Sequence, residues 1–311
     1  MPLKQVQIPF TNSLQARMIM AYFSFQRWIN PPKDVLDVAK ARKDNASLSS
    51  MMSMAPDAAC RTVNAGGVKA EWLNPAGTDP QKVIFYLHGG GYVLGTIDGY
   101  RYMVHEMARQ AGMNALMVDY RLAPEAPFPA AVDDAKAAYL WLLQQGTAPQ
   151  NVVFAGDSAG GGLLLVLMTA LRDAGQPLPA GGACLCPWTD LTMSGESMGQ
   201  NAKKDLMLDD RLLENFARYY LGEGDRREPL ASPLYGDLSG LPPLLIQVGT
   251  HEILLSDSLR LAEKAAAAGV EVTLEKWEAC QHDWQVAVKF LPESQMAVEH
   301  LAAYIRGLAT R

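Results

Sequence analysis

From about residue 83 onward, short apolar runs rich in β-branched residues alternate with longer segments of helical periodicity. This alternation predicts a mostly parallel sheet covered by helices on both faces, because parallel strands need crossover connections and are then buried along their length. The sequence therefore predicts an α/β fold. The predicted strands are Val83–Leu87, Ala115–Asp119, Val152–Gly156, Ala183–Pro187, Leu244–Val248 and Val270–Lys276, and the predicted helices lie near residues 98–111, 130–146, 159–174, 209–221, 256–268 and 294–308.

Two segments of the chain fall outside this alternation. The first 60 residues are predicted to be helical, and residues 193–228 are longer than an ordinary crossover between two strands. Ligands of open α/β sheets bind beyond the carboxyl ends of the strands, and long insertions there are commonly lids. We predict that residues 1–60 and 193–228 form a helical cap over a main domain of residues 61–192 and 229–311, the alternative being that they only add packing layers.

Composition restricts the kinds of partner. The 311 residues are 49% hydrophobic and 19% charged, with a net charge of −6, which is typical of a soluble globular protein. The negative charge argues against nucleic acid and against a polybasic membrane surface. Residues 1–5 lack the pattern of a secretory signal, and the apolar stretch 14–29 is too short and too often interrupted to span a bilayer. The sequence predicts a cytoplasmic protein with no nucleic-acid partner and no stable membrane insertion.

The four cysteines do not indicate a disulfide framework or a metal site. Cys184 and Cys186 lie in an apolar run and are expected to share one face of a strand. No CxxC motif or neighbouring histidine completes a set of metal ligands. We interpret the cysteines as small buried hydrophobic residues and predict no metal.

The motif Gly156-Asp157-Ser158-Ala159-Gly160 follows one predicted strand and precedes an apolar helix. A serine on a sharp strand-to-helix turn needs neighbours without side chains, so that the two backbones can approach closely. The turn also places the hydroxyl at the N-terminus of the helix, whose dipole favours developing negative charge. This context predicts that Ser158 is a nucleophile rather than part of a structural glycine turn.

A second glycine-rich motif, His88-Gly89-Gly90-Gly91, comes directly after the first predicted strand. Its glycines expose backbone N–H groups, which can form an oxyanion hole together with the N–H of Ala159. A phosphate-binding loop is not indicated, because neither GxGxxG nor the P-loop motif is present. We expect His88 to shape this loop by hydrogen bonding rather than to act as a base.

A nucleophilic serine needs a histidine base and an acid that orients it. In hydrolases with a serine on such a turn, the chain order is serine, acid, histidine. Two histidines lie downstream of the last predicted strand. His300 falls within a regular helical pattern, whereas His282 follows the strand across a short loop, so we assign His282 as the base.

The acid should follow the strand predicted at 244–248, where Glu252 and Asp257 are the candidates. Asp257 is expected in the first turn of a helix, where a carboxylate complements the helix dipole. Glu252 lies on the loop and can turn towards the edge of the sheet, so we favour Glu252 and keep Asp257 as the alternative. A zinc site is not indicated, because no HExxH motif follows His251.

Taken together with DYRLAPE at 119–125, ASPL at 231–234 and LPP at 241–243, these motifs resemble those of the hormone-sensitive-lipase-like family of bacterial esterases. The resemblance covers about residues 80–305. It implies an α/β-hydrolase fold, with a mostly parallel central sheet, flanking helices and a helical cap made from the N-terminus and an insertion such as 193–228.

The resemblance also implies roles for individual residues. Ser158 would be the nucleophile and His282 the base, and Gly90, Gly91 and Ala159 would supply the oxyanion donors. At the acid position the family usually reads Asp-Pro-Leu, where this chain has Glu-Ile-Leu at 252–254. A glutamate can accept the imidazole N–H in the same way, so the predicted acid is unchanged.

The expected reaction is hydrolysis of a small-molecule ester through an acyl-enzyme, without a cofactor. The resemblance implies a carboxylesterase for short-to-medium acyl chains, from acetyl to hexanoyl. Two alternatives stay open: hydrolysis of a lactone, amide or carbamate by the same residues, and a non-catalytic protein that binds a small ligand on the same fold.

Two expectations concern surfaces. Four residues, Tyr92, Trp188, Leu206 and Met207, lie on segments expected to border the substrate pocket, although ordinary core or cap packing is the favoured explanation for each of them taken singly. An exposed last strand, Val270–Lys276, with the C-terminal helix could pair two subunits edge to edge in a homodimer.

Overall fold

The computed structural model describes residues 3–11, 13–29, 34–51 and 60–308, with residues 48–51 described by their backbone alone. Within them the chain forms one nine-stranded sheet with helices on both faces. The strands are β1 Leu3–Ile8, β2 Cys60–Ala65, β3 Val68–Leu73, β4 Asp79–Leu87, β5 Met113–Val118, β6 Val152–Asp157, β7 Gly181–Leu185, β8 Leu244–Gly249 and β9 Val272–Trp277. The helices are α1 Leu14–Ile29, α2 Val38–Met51, α3 Ile97–Ala111, α4 Ala130–Gln144, α5 Ser158–Asp173, α6 Ser197–Gln200, α7 Asp210–Leu221, α8 Leu255–Ala267 and α9 Pro292–Leu308.

The strands lie in the order β1-β9-β8-β7-β6-β4-β5-β3-β2. Neighbouring strands are parallel, except that β3 runs antiparallel to both β2 and β5. Strands β5 to β8 are buried along their whole length, as expected when helices cover both faces of a sheet. The predicted α/β fold with a mostly parallel sheet is confirmed, and the strands and helices predicted from residue 83 onward are present with slightly shifted ends.

Successive side chains of the central strands pack into opposite layers of the core. Phe85 of β4 contacts the rings of Tyr139 in α4 and Phe154 in β6, at centroid distances of 5.9 and 5.1 Å. Its neighbour Tyr86 belongs to the opposite layer, together with buried apolar side chains of α3 and α9. Because both faces are filled, the loops at the carboxyl ends of the strands begin from fixed positions.

The N-terminus differs from the prediction of a wholly helical segment. Leu3–Ile8 forms β1, which pairs in parallel with β9. This short run alternates only weakly in hydropathy, and it is held by a strand near the other end of the chain, a contact that no local pattern reveals. In the described sheet β1, and not β9, is the edge, so the prediction that Val270–Lys276 is an exposed strand is wrong, and the homodimer itself stays a prediction.

Strands β2 and β3 form an antiparallel hairpin that is absent from the sequence-based prediction. Gly66 and Gly67 make its two-residue turn with φ angles of 67° and 97°, a conformation that glycine adopts readily. Most side chains of β2 are exposed, so the strand has no apolar alternation. The signal that could have found the hairpin is the Gly-Gly pair itself.

The predicted cap segment 1–60 contains α1 and α2 in addition to β1, while residues 1–2, 12, 30–33 and 52–59 of it lie outside the described part of the chain. The second predicted cap segment, 193–228, contains α6 and α7. No helix among the described residues combines the length and the hydropathy needed to cross a bilayer.

Candidate active site

The turn between β6 and α5 holds Ser158 in a left-handed backbone conformation, with φ 50°. Such a conformation is rare for residues with a side chain and persists only where the surroundings enforce it. The two flanking glycines allow the turn: a Cβ on Gly160 would lie 2.0 Å from the carbonyl oxygen of Leu87, and one on Gly156 would lie 2.6 Å from the oxygen of Gly160. The buried Ser158 side chain is therefore presented at the carboxyl edge of the sheet.

His282 and Glu252 meet Ser158 in one chain of hydrogen bonds. Nε2 of His282 lies 2.9 Å from Oγ of Ser158, and Nδ1 of His282 lies 2.7 Å from Oε2 of Glu252. The histidine follows β9 and the glutamate follows β8, so the carboxyl ends of neighbouring parallel strands bring them together. The N–H of Gly249 donates to the other carboxylate oxygen of Glu252 at 2.7 Å, which fixes the orientation of the carboxylate.

The structure places the alternative acid elsewhere. Oδ2 of Asp257 accepts hydrogen bonds from the N–H groups of Thr189 and Asp190 at 2.8 and 2.9 Å. Burial raises the pKa of the Asp257 carboxyl to about 7. His300, the other downstream histidine, contacts Glu275 at 3.0 Å. Of the two candidate acids, Glu252 is thus the one brought against His282.

The segment 193–228 also holds the loop that carries Glu252, a contribution that the motifs do not reveal. Asp205 accepts hydrogen bonds from the N–H groups of Ile253, Met207 and Leu208 at 2.8 to 2.9 Å. The side-chain amide of Asn201 donates to the carbonyl oxygen of Glu252 at 2.9 Å. The bonds to Ile253 and to Glu252 join residues 48 and 51 positions apart, which is why spacing within a motif could not predict them.

The glycine loop after β4 lies beside Ser158. The N–H of Gly89 donates to Oδ1 of Asp157 at 2.9 Å, and no hydrogen bond links the N–H of Gly90 or Gly91 to another described residue. A Cβ on Gly91 would lie 2.1 Å from the ring of Phe216 in α7, so only glycine fits at this position. The first amides of α5, including that of Ala159, likewise have no partner within the helix.

His88 holds this loop in place through its own contacts. Its Nδ1 lies 2.8 Å from the carbonyl oxygen of Gly89, and its ring stacks on Tyr120 at a centroid distance of 4.3 Å. The hydroxyl of Tyr120 donates to the carbonyl oxygen of His88 at 2.6 Å. Burial lowers the pKa of His88, which favours the neutral ring and suits a residue that shapes the loop.

The electrostatics of the site centre on His282. Burial lowers the pKa of this imidazole, but the nearby carboxylates outweigh burial and the resulting pKa is well above its usual value. The carboxylate that raises it most belongs to Asp283, whose Oδ2 lies 3.2 Å from Nε2 of His282. Asp283 was not among the predicted site residues, since it belongs to no motif.

Cys186, Glu252 and His282 bring three potential metal ligands within 4.8 Å of one another. Zinc binds a deprotonated thiolate, whereas burial raises the pKa of the Cys186 thiol well above its usual value. Cys186 also lies beyond the end of β7 with φ 45°, and it packs in a different cluster from Cys184. The prediction that the two cysteines share one strand face is therefore wrong, because the positive φ breaks the alternation.

The residues predicted to line the pocket fall into two pairs. Tyr92 and Trp188 are buried in the core, and Tyr92 stacks on Tyr220 of α7 at 3.8 Å. Leu206 and Met207 are half-buried, and the N–H of Leu206 donates to the side chain of Gln281, next to His282, at 2.8 Å. Their role in the pocket stays a prediction.

The sheet order and the serine turn define the class to which this protein belongs. A family model described as alpha/beta hydrolase fold matches residues 84–286, which include all three members of the hydrogen-bonded chain. The protein is an α/β hydrolase.

Three similar proteins narrow the class. The acetyl-hydrolase of Streptomyces hygroscopicus is 46% identical over 244 residues, which are 78% of this chain and 81% of that protein. An esterase of Acinetobacter venetianus is 35% identical over 254 residues, covering 81% of this chain and 84% of that protein. A crystal structure of an esterase from the bacterial hormone-sensitive lipase family is 41% identical, with a TM-score of 0.92 over 96% of this chain and 100% of that chain. The chain belongs to the hormone-sensitive-lipase-like family of esterases.

Proposed function

We propose that this protein is a carboxylesterase that hydrolyses short-to-medium acyl esters through a covalent intermediate on Ser158. The observation that carries the proposal is the chain of hydrogen bonds from Ser158 Oγ to His282 Nε2, at 2.9 Å, and from His282 Nδ1 to Glu252 Oε2, at 2.7 Å. This is the connectivity of a nucleophile, its base and the acid that orients the base. The names of the relatives support the same class of reaction.

In the first step Ser158 Oγ attacks the ester carbonyl while Nε2 of His282 takes the hydroxyl proton. Glu252 accepts a hydrogen bond from the Nδ1–H of His282, which keeps Nε2 free as an acceptor and stabilises the imidazolium that forms. The imidazolium then protonates the leaving alcohol. In the second step the same nitrogen takes a proton from water as the water oxygen attacks the acyl carbonyl. The imidazolium then returns this proton to Ser158 Oγ as the C–Oγ bond breaks, which releases the acid and restores the serine.

The oxyanion of each tetrahedral intermediate is proposed to lie among the N–H groups of Gly90, Gly91 and Ala159. Support comes from the two glycine amides that donate to no other described residue and from the position of Ala159 in the first turn of α5. The helix dipole favours negative charge at this end. Donors fixed before the reaction need no reorganisation when the charge develops.

We further propose that the described parts of 1–60 and 193–228 act as a cap over this site. The guanidinium of Arg27 in α1 donates to the carbonyl oxygens of Asp205 and Leu208 at 2.6 and 3.0 Å. The hydroxyl of Tyr219 in α7 donates to the carbonyl oxygen of Leu36 at 3.0 Å. These bonds link the two segments to each other. The second segment in turn holds the loop of Glu252, so the cap and the proposed acid form one unit.

The burial of the three proposed triad residues supports a preference for short acyl chains. Ser158, His282 and Glu252 are all buried, so a long acyl chain would need a channel that leads away from them. Among the similar structures, one of EstE5, 39% identical with a TM-score of 0.90, comes from a crystal soaked by p-nitrophenyl butyrate. We propose that Leu206, Met207, Tyr92 and Trp188 border the acyl pocket.

The test is hydrolysis of p-nitrophenyl esters from acetyl to dodecanoyl by the wild type and by Ser158→Ala. The proposal predicts rates that peak at short chains and vanish in the variant. Residual activity near the wild-type level in Ser158→Ala would refute it. If the wild type hydrolyses lactones, amides or carbamates but none of these esters, the proposed triad stands and the proposed substrate class is wrong.

We also propose a cytoplasmic location for the protein. The four cysteines are free in the described structure, and unpaired thiols are typical of a reducing compartment. Fractionation of cells that express the full chain would test this, and recovery of the protein outside the cytoplasm would contradict it.

A further inference from the structure

One carboxylate of the site has no part in the proposed triad. Oδ2 of Asp283 lies 3.2 Å from Nε2 of His282, the nitrogen that Ser158 Oγ approaches to 2.9 Å. The other oxygen, Oδ1, is buried and has no hydrogen-bond partner among the described residues. The imidazole therefore has a carboxylate against each of its two nitrogens, Glu252 at Nδ1 and Asp283 at Nε2.

The backbone enforces this second contact. Asp283 adopts a left-handed conformation, with φ 52° and ψ 32°, immediately before the short helical turn Trp284–Ala287. Aspartate and asparagine are the side chains that best tolerate this region, and strained backbone of this kind clusters at functional sites. An extended conformation at this residue would direct its side chain differently relative to the imidazole.

The other titratable groups around this pair are acidic or neutral. Burial raises the pKa of the Asp157 carboxyl and of the Cys186 thiol well above their usual values, which favours their uncharged forms. Burial also raises the pKa of Asp205, and it raises the pKa values of the Tyr86 and Tyr100 hydroxyls well above their usual value. The groups that face the imidazole or Asp283 are Glu252 after β8, Asp205 from segment 193–228, Asp157 at the end of β6, Cys186 after β7, Tyr86 in β4 and Tyr100 in α3.

We propose that Asp283 is a positioning residue that holds the proton of the His282 imidazolium at Nε2 and thereby moves the acidic limb of the pH–rate profile to higher pH. The inference rests on the proposed function, in which Nε2 must be free to take the proton of Ser158. An imidazolium with a carboxylate oxygen 3.2 Å from Nε2 loses its proton less readily than one paired only at Nδ1.

The same contact serves the forward reaction without changing the proton balance. The proton that leaves Ser158 resides on Nε2, between the reacting oxygen and Oδ2 of Asp283, and passes from Nε2 to the leaving alkoxide. Asp283 neither gains nor loses a proton in this cycle. Its cost is the loss of activity at low pH, because the resting imidazole is then already protonated.

The test is the pH dependence of kcat/KM for the wild type and for Asp283→Asn. Asparagine keeps the size and the left-handed backbone but removes the charge, so the midpoint of the acidic limb should fall by about 1 to 3 pH units. Asp283→Glu, which keeps the charge, should remain closer to the wild type. A merely structural role for Asp283 would lower the rate at every pH and leave the midpoint in place, which would overturn the proposal.

A surface variant controls for the loss of one negative charge. Asp119 pairs with Lys69 at 2.7 Å, so Asp119→Asn removes a carboxylate that does not contact His282. Its acidic limb should coincide with that of the wild type. A shift as large as that of Asp283→Asn would assign the effect to net charge and would contradict the inference.

Labelling of Ser158 by a fluorophosphonate separates this inference from the proposed function, since it reports the free base without ester turnover. If no ester is hydrolysed but the acidic limb of labelling moves in Asp283→Asn, the proposed substrate class fails and the inference stands. If esters are hydrolysed, but Asp283→Asn shifts the acidic limb of neither the hydrolysis profile nor the labelling profile, the inference fails and the proposed function stands.

Discussion

Replacement of Glu252 by glutamine is the substitution that most sharply distinguishes the two candidate acids. In the wild type, one carboxylate oxygen of Glu252 accepts a hydrogen bond from the Nδ1–H of His282, and the other accepts one from the N–H of Gly249, at 2.7 Å each. A glutamine has a single oxygen for these two donors. In one arrangement its amide nitrogen faces the N–H of Gly249, so that two donors oppose each other. In the other arrangement the amide nitrogen faces Nδ1 of His282 and forces the imidazole proton onto Nε2.

Both arrangements damage the proposed mechanism. The first leaves two buried donors without an acceptor, at about 1–3 kcal/mol each in stability. The second gives the wrong tautomer, in which Nε2 cannot take the proton of Ser158. In both arrangements the imidazolium loses the carboxylate at Nδ1. When the orienting carboxylate of a serine triad is replaced by its amide, kcat falls by about 10⁴, equivalent to about 5 kcal/mol in the barrier.

The assay is steady-state hydrolysis of p-nitrophenyl butyrate by Glu252→Gln and, as a matched control, Asp257→Asn. An amide oxygen at Asp257 can still accept from the N–H groups of Thr189 and Asp190, so kcat of the control should stay within about tenfold of the wild type. Circular dichroism and thermal melting check that both variants fold. A larger loss of kcat in Asp257→Asn than in Glu252→Gln would contradict the assignment of Glu252 and move the acid to Asp257.

Three further predictions concern stability. Ser158→Gly removes a side chain from a left-handed backbone position, so the free energy of unfolding should rise by about 1 kcal/mol, although activity is lost. An unchanged or lower melting temperature would contradict the backbone strain at this residue. Gly160→Ala would place a Cβ 2.0 Å from the carbonyl oxygen of Leu87 and should lower stability by about 1–3 kcal/mol, which thermal melting measures; an unchanged melting temperature would show that the turn can relax. Burial raises the pKa of Asp257 from 3.8 to about 7, so the folded state binds its proton more tightly than the unfolded state, and the resulting stability is complete below about pH 4 and is lost as the pH rises through 7. The melting temperature of the wild type minus that of Asp257→Asn should therefore fall between pH 5 and pH 8, and a difference that grows with pH would have the wrong sign.

The parts of the site that the sequence predicts are those specified by short motifs. The glycines around Ser158 and in the loop after β4 mark positions where two backbones touch, and these contacts allow no side chain. The assignments of His282 and Glu252 need only the chain order and the ends of two strands, because parallel strands align their carboxyl ends at one edge. The structure brings these side chains within hydrogen-bond distance of one another.

The features that the sequence does not predict depend on contacts between distant segments. Strand β1 is recognisable only beside β9, and the bonds from Asp205 to the loop of Glu252 join two segments that no motif connects. Asp283 and Cys186 owe their positions to left-handed backbone that neither residue type requires. Tertiary packing selects these conformations, so neither periodicity nor spacing could reveal them.

Trapping the acyl-enzyme would show whether Ser158 carries the acyl group. The wild type would be mixed with p-nitrophenyl butyrate, quenched in acid within milliseconds, digested and mapped by mass spectrometry, with Ser158→Ala treated in parallel. We expect a butyryl group on the peptide that contains Ser158, together with a burst of p-nitrophenol if deacylation is the slower step. Neither signal is expected in the variant. A butyryl group on another residue, or turnover of the ester by Ser158→Ala, would contradict this role of Ser158.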